Sequence, residues 1–121
     1  MGSIVGIGTD LVEVDRVTKA YARESFRRKY FSEREQELIQ KKAARAATAF
    51  AGKEAVVKAL GTGFQGILPS DIEILREPSG APSVCLSGKA AAQAKKQGVS
   101  GIHISLTDTE EFAMAYVLME S

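Results

Sequence analysis

The feature that most constrains this chain is an apolar helix with three charged residues in its middle, predicted over Phe50–Gly61. Glu54 and Lys58 are four residues apart, so on a helix they lie on one face, one turn from each other. Gly61 is the residue type that most readily ends a helix. A carboxylate beside an ammonium on a part-buried helix is suited to hold a metal and a phosphate together. It is equally typical of an ordinary surface ion pair.

The other elements are predicted from hydrophobic periodicity, capping residues and turn residues. Ser32 and Glu35 have the spacing of a capping box, which predicts a helix start at position 33. Pro78, Gly80 and Pro82 lie between two apolar runs and predict a hairpin turn. The helices are predicted at 14–23, 33–42, 43–60 and 88–97, and the strands at 4–10, 71–77, 83–86, 102–107 and 112–119. This order predicts an α+β fold in which an antiparallel sheet packs on the long helix.

Length and composition exclude several classes of protein. A chain of 121 residues is expected to form one domain over positions 1–121 and to bury roughly two-thirds of its unfolded surface. It has no run of about 18 apolar residues that would predict a membrane span, and its first residues do not have the pattern of a secretory signal. Cys85 has no second cysteine to pair with, which favours a cytoplasmic location. One cysteine and one histidine cannot form a structural zinc site.

Positive charge is concentrated in one segment of a nearly neutral chain. Positions 16–45 contain ten lysines or arginines against four glutamates, a local charge of 10 − 4 = +6. Arg16, Lys19, Arg23 and Arg27 are spaced so that they form one stripe if the helix that begins at position 14 continues through them. The stripe is consistent with a solvated helix face or with a docking surface for an acidic partner. The aromatic residues of this segment have the spacing of helix packing, so nucleic-acid binding by base stacking is not predicted.

Two motifs together resemble the 4′-phosphopantetheinyl transferases, and most closely the small bacterial holo-[acyl-carrier-protein] synthases. The first is Gly8-Thr9-Asp10, followed six residues later by Arg16. The second is the helix motif Phe50–Gly61, which is the more specific of the two. A late His-x-Ser strand also fits, so the resemblance covers nearly the whole chain. It implies the 4′-phosphopantetheinyl transferase fold and a Mg²⁺-dependent enzyme of fatty acid biosynthesis. Such an enzyme moves the 4′-phosphopantetheine group from coenzyme A to a serine of apo acyl carrier protein, releasing adenosine 3′,5′-bisphosphate.

The resemblance assigns the chemistry to Asp10, Glu54 and Lys58. It implies that Asp10 and Glu54 hold Mg²⁺ on the pyrophosphate of coenzyme A, while Lys58 stabilises charge or moves a proton. The residue types agree, because Mg²⁺ usually takes one or two carboxylates together with substrate phosphates, and Mn²⁺ would suit the same oxygens. From the residues alone an alternative stays open. Asp10 would cap a helix or a turn, and Glu54 would pair on the surface with Lys58 or Lys53.

The resemblance also implies contacts with coenzyme A and with the carrier protein. The predicted coenzyme A contacts are Lys58, Gly61, Pro82, His103, Ser105 and Thr107. Apart from the resemblance, Gly61 is a helix cap, Pro82 a turn residue and His103 a structural residue on the polar face of a strand. The predicted docking surface for the acidic carrier protein is Arg16, Arg23, Arg27 and Arg28.

Small members of this family are trimers with active sites at the subunit interfaces, so a homotrimer is expected. One departure from the family pattern is Ala49, where many members have arginine; Arg45, one turn earlier, could reach the same region. Two alternatives remain: a transferase domain cut from a larger synthase, and a non-enzymatic module that binds RNA or an acidic protein through the basic helix.

Overall fold

A three-stranded antiparallel sheet and a two-stranded hairpin contain all the strands of the computed structural model, which describes residues 2–121. The strands are β1 (Ile4–Glu13), β2 (Ile72–Arg76), β3 (Pro82–Leu86), β4 (Gly101–Asp108) and β5 (Phe112–Glu120). The helices are α1 (Val14–Tyr21), α2 (Glu24–Tyr30), α3 (Glu33–Lys41), α4 (Arg45–Leu60) and α5 (Gly88–Lys96), with a 3₁₀ turn over Pro69–Asp71. The larger sheet has the strand order β1-β5-β4, and β2 pairs with β3. The predicted α+β fold, with antiparallel strands and a long helix packed on the sheet, is confirmed.

The helix predicted over 14–23 is present but ends at Tyr21, and it does not continue through Arg23 and Arg27, because a second helix that was not predicted begins at Glu24. Arg23 has extended backbone angles and is the N-terminal cap of α2 rather than a residue of α1. The break lets Tyr21 at the end of α1 pack against Phe31, the residue after α2, with the ring centres 5.3 Å apart, and lets Phe26 of α2 pack 6.1 Å from Phe50 of α4. No glycine or proline marks the break in the sequence, so it is a consequence of tertiary packing.

Helix α4 lies directly on the backbone of β1, at Gly6 and Gly8. A methyl group added at Gly8 would overlap the carbonyl oxygen of Ala55 and lie 2.8 Å from the amide nitrogen of Ala59. A methyl group at Gly6 would overlap the carbonyl oxygen of Ala59. Glycine within a strand commonly marks such a close approach. The two glycines therefore set the distance between α4 and the sheet.

On its other flank α4 is held by a buried ion pair. The ammonium of Lys53 lies 2.6 Å from the Glu35 carboxylate, and both side chains are 1% exposed. Lys53 also donates to the carbonyl oxygens of Pro69 and Ile72. Burial raises the pKa of Glu35 and lowers the pKa of Lys53, while the charge of each partner opposes the shift of the other. The alternative that Lys53 pairs with Glu54 on the surface is therefore wrong.

The local helix signals in the sequence are confirmed. Ser32 accepts from the amide of Glu35, and the Glu35 carboxylate accepts from the amide of Ser32, which completes the predicted capping box. Gly61 ends α4 with φ 75°, in the left-handed region. None of the helices within residues 2–121 has the length and apolar character needed to cross a bilayer.

We expect Gly8→Ala to destabilise the fold by about 1–3 kcal/mol, because the added methyl group forces α4 away from β1. The matched control is Gly101→Ala, where a methyl group meets only the side chain of Glu120 at 3.2–3.6 Å. Urea unfolding of both variants measures the difference. Equal stability of the two would contradict the close contact between α4 and β1.

Candidate active site

Asp10, Glu54 and Lys58 come together where β1 passes α4. Asp10 lies two residues after Gly8, on the same face of the strand, so the close approach at Gly8 brings its carboxylate to the helix. The Lys58 ammonium lies 3.1 Å from Asp10 Oδ1 and 2.9 Å from the carbonyl oxygen of Thr9. The Asp10 side chain is only 15% exposed, whereas that of Lys58 is 56% exposed. The lysine thus reaches from solvent to a carboxylate that is largely enclosed.

Glu54 is half-buried and electrostatically coupled to the other two residues. Burial raises its pKa, the negative charge of Asp10 raises it further, and the ammonium of Lys58 partly opposes both effects. None of the ion pairs found within residues 2–121 joins Glu54 to Lys58, since Lys58 pairs with Asp10 instead. The site therefore holds two mutually repelling carboxylates and one ammonium.

The oxygens of this site fit a hard divalent cation. Asp10 Oδ2 is buried and has no hydrogen-bond partner within the described residues. A buried carboxylate oxygen without a partner is costly unless a cation or a water binds it. The described part of the chain contains no cluster of three or more histidine, cysteine, aspartate or glutamate side chains suited to a metal. Two carboxylates with open positions for water and phosphate oxygens are what Mg²⁺ or Mn²⁺ takes, not what a structural zinc ion takes.

His103, Ser105 and Thr107 lie on the opposite face of the sheet from Asp10. They alternate along β4 as the sequence predicts, and all three are exposed. The His103 side chain is 63% exposed, with Nε2 3.5 Å from a carboxylate oxygen of Glu120. Within one chain the structure therefore does not bring these residues to the Asp10–Glu54 carboxylates. Pro82 is the first residue of β3 and belongs to the separate hairpin.

One face of the larger sheet is apolar and solvent-exposed, a feature that was not predicted from the sequence. Its large side chains are 40–63% exposed although they stand side by side on paired strands. They are Ile7 and Leu11 of β1 and Phe112, Met114 and Tyr116 of β5. The sequence of β5 does indicate this exposed apolar surface. Its residues are apolar on both faces of the strand, whereas a strand with one solvated face would alternate between apolar and polar residues. We name this surface, together with His103, Ser105 and Thr107, the outer face.

The predicted basic stripe is rearranged by the break between α1 and α2. The Arg27 guanidinium donates to the carbonyl oxygen of Tyr21 at 2.8 Å and lies 5.5 Å from the Tyr21 ring centre, so it holds the end of α1. Arg28 forms an exposed ion pair with Glu24 at 3.0 Å. Arg16 of α1 lines a cavity of about 430 Å³ that the sequence did not predict. The apolar lining of this cavity includes Leu11, Val17, Phe26, Phe50 and Phe112.

Ala49, the departure from the family pattern noted above, lies in the core. Ala49 is buried, and Arg45 donates to the carbonyl oxygen of Leu38 at 3.2 Å. Arg45 is thus directed to the end of α3 in this structure.

Known proteins match this chain over nearly its whole length. Residues 6–117 match the model of the 4′-phosphopantetheinyl transferase superfamily. A holo-[acyl-carrier-protein] synthase of Lachnoclostridium phytofermentans is 49% identical over 117 residues, which cover 97% of this chain and 96% of the relative. The crystal structure of the Neisseria meningitidis holo-[acyl-carrier-protein] synthase is similar with a TM-score of 0.89 at 29% identity, covering 98% of this chain and 100% of that chain. The Helicobacter pylori synthase in complex with coenzyme A has a TM-score of 0.83 at 29% identity, covering 93% and 98%.

We expect Asp10→Asn to lower the pKa of Glu54. The substitution removes a repelling charge and frees the Lys58 ammonium from its pairing with Asp10, and both effects favour the ionised glutamate. Carbon-13 NMR titration of the glutamate carboxyl groups measures the shift. Glu73, whose pKa is held low by hydrogen bonds from Arg34 and Ser32, is an internal reference that should not change. An unchanged pKa of Glu54 would mean that the two carboxylates are not coupled.

Proposed function

The chain belongs to the 4′-phosphopantetheinyl transferase superfamily, and we propose that it acts as a holo-[acyl-carrier-protein] synthase. It transfers the 4′-phosphopantetheine group from coenzyme A to a serine of apo acyl carrier protein and releases adenosine 3′,5′-bisphosphate. The observation that carries this assignment is the convergence of Asp10, Glu54 and Lys58 in a chain that is similar to such synthases over its length. The reaction belongs to fatty acid biosynthesis in the cytoplasm, a location that suits the single free cysteine.

Asp10 and Glu54 are the residues that would hold Mg²⁺ at the pyrophosphate of coenzyme A. Once bound, Mg²⁺ neutralises charge on the phosphate oxygens and acts as a Lewis acid. The carrier serine oxygen forms a bond to the β-phosphorus and loses its proton to solvent. The bond from that phosphorus to the bridging oxygen breaks, and adenosine 3′,5′-bisphosphate leaves with that oxygen and its electron pair. Lys58 contributes a positive charge where the leaving group becomes more negative. Its exposure supports this role, because the ammonium is free to turn from Asp10 to a bound phosphate.

The carrier protein docks on the basic helices beside this site. An acidic partner is attracted by the +6 charge of positions 16–45. Arg16, Arg23 and Arg28 supply the contacts, whereas Arg27 contributes mainly charge because its guanidinium is already bound to Tyr21.

Coenzyme A binds where two copies of the chain meet, in a homotrimer assembled through the outer face. The exposed apolar patch supports self-association, since such patches on a soluble chain commonly mark interaction surfaces. His103, Ser105 and Thr107 lie on this face, away from the carboxylates of their own chain. They would therefore donate to the coenzyme A phosphates at the site of a neighbouring copy. Gly61 and Pro82 would contact coenzyme A without donating, because proline has no N–H and the Gly61 amide already donates to Val57 and Lys58.

Intact-mass spectrometry of an apo acyl carrier protein incubated with coenzyme A, Mg²⁺ and this protein tests the activity. We expect the carrier to gain the mass of one 4′-phosphopantetheine group. EDTA should abolish the gain, and Glu54→Ala or Asp10→Ala should slow it by about 100-fold or more, because each removes a ligand of the Mg²⁺ that would stabilise charge in the transition state. Glu73→Gln, a carboxylate removed from the hairpin, is the matched control and should retain turnover. If several apo carriers gain no mass and coenzyme A does not bind, the proposed function is wrong.

Sedimentation velocity tests the assembly. We expect Leu11→Glu and Met114→Glu to separate the copies, because each buries an unpaired charge in an apolar interface. Transfer activity should fall as the oligomer dissociates. Leu68→Glu is the matched control, since Leu68 is 57% exposed but lies outside the larger sheet. A wild-type protein that sediments as a monomer would contradict the homotrimer.

A further inference from the structure

Lys53 is the one charged residue of the helix motif that the proposed chemistry does not use. It lies next to Glu54 in the sequence, and adjacent residues of an α-helix point about 100° apart around the axis. Glu54 is directed to Asp10 and β1, whereas Lys53 is directed to α3 and the start of β2. The Lys53 side chain is 1% exposed and its ammonium makes three hydrogen bonds, so it is not accessible to a substrate in solution.

The hydrogen bonds of Lys53, here called the anchor, matter because α4 is composed largely of small residues. Six of its 16 residues are alanine and one is glycine, so few large side chains interlock with neighbours to resist rotation of the helix or sliding along it. Its contact with β1 is made by glycines, which likewise provide no side chain to interlock. The directional hydrogen bonds of Lys53 therefore act with the packing of Phe50 on Phe26 and the bonds from Lys58 to β1 in distinguishing one rotation of α4 from another.

A small rotation would be enough to disturb the carboxylate pair. On a helix whose side chains reach roughly 5 Å from the axis, a rotation of about 20° moves a carboxylate by roughly 2 Å. Metal–oxygen distances tolerate only about 0.2 Å. The placement of Glu54 relative to Asp10 therefore depends on what fixes the rotation of α4.

We propose that Lys53 is a positioning residue of the active site. Its buried pairing with Glu35, and its bonds to the carbonyl oxygens of Pro69 and Ile72, fix the rotation of α4 so that Glu54 meets Asp10. Glu35 is the matching half of the anchor, because it also accepts from the amides of Ser32 and Ile74. The inference rests on the proposed function, since it concerns the same two carboxylates.

The test separates positioning from stability. Lys53→Met alone leaves the Glu35 carboxylate buried without its counter-charge and is expected to unfold readily. The double variant Glu35→Gln, Lys53→Met removes both charges, keeps an amide oxygen for the capping box, and is expected to fold. Glu73→Gln is the matched control, because it breaks the pairing of Arg34 with β2 and the bond from the Ser32 hydroxyl but leaves all three hydrogen bonds of Lys53 in place.

The readouts are the folded fraction by circular dichroism, the dissociation constant of Mn²⁺ by electron paramagnetic resonance, and turnover per folded molecule. We expect the double variant to bind Mn²⁺ at least about 10-fold more weakly and to turn over about 10- to 100-fold more slowly, the range seen when groups that orient metal ligands are removed. The control should keep both values.

The possible outcomes distinguish this inference from the proposed function. A folded double variant with wild-type Mn²⁺ affinity and turnover would overturn the positioning role while leaving the synthase assignment intact. A wild-type protein that neither binds Mn²⁺ nor transfers the group would instead overturn the proposed function itself. If the double variant is partly unfolded, the same quantities are compared per folded molecule, and unchanged values again contradict the inference.

Discussion

The backbone contact between α4 and β1 is the constraint on which the rest of the structure depends. Two glycines on one face of β1 bring the carbonyl groups of the helix against the strand, where any side chain would hold them apart. The next residue on that face is Asp10, which therefore meets Glu54 and Lys58 of the same helix. The Gly-x-Gly-x-Asp spacing and the helix motif are thus two halves of one contact, although forty residues separate them in sequence.

The parts of the fold that local physics determines were predictable from the sequence. The capping box at Ser32 and the glycine that ends α4 satisfy backbone groups within a few residues, so their patterns are sufficient evidence. The break before α2 was not predictable in this way. Arg23 carries no helix-breaking signal, and the chain turns there because aromatic residues on both sides find partners in the core.

The candidate site shows the same division between local and long-range information. Periodicity placed Glu54 and Lys58 on one helix face, whereas only the resemblance brought Asp10 to them. The direction of Lys53 did not follow, because its partner Glu35 lies 18 residues away and was recognised only as a capping residue. Periodicity placed His103, Ser105 and Thr107 on one face of β4 but could not say which face of the sheet that is.

In the proposed homotrimer, assembly through the outer face would make activity depend on the concentration of the chain. A site that takes donors from one copy and carboxylates from another exists only in the assembled state, and mass action populates that state according to chain concentration. Dilution would then lower the fraction of complete sites. The rate of transfer would therefore rise more than linearly with the concentration of the chain. The rate of synthesis of the chain would then control carrier activation through the extent of assembly as well as through the number of chains. Coenzyme A would oppose dissociation by binding across the interface between two copies.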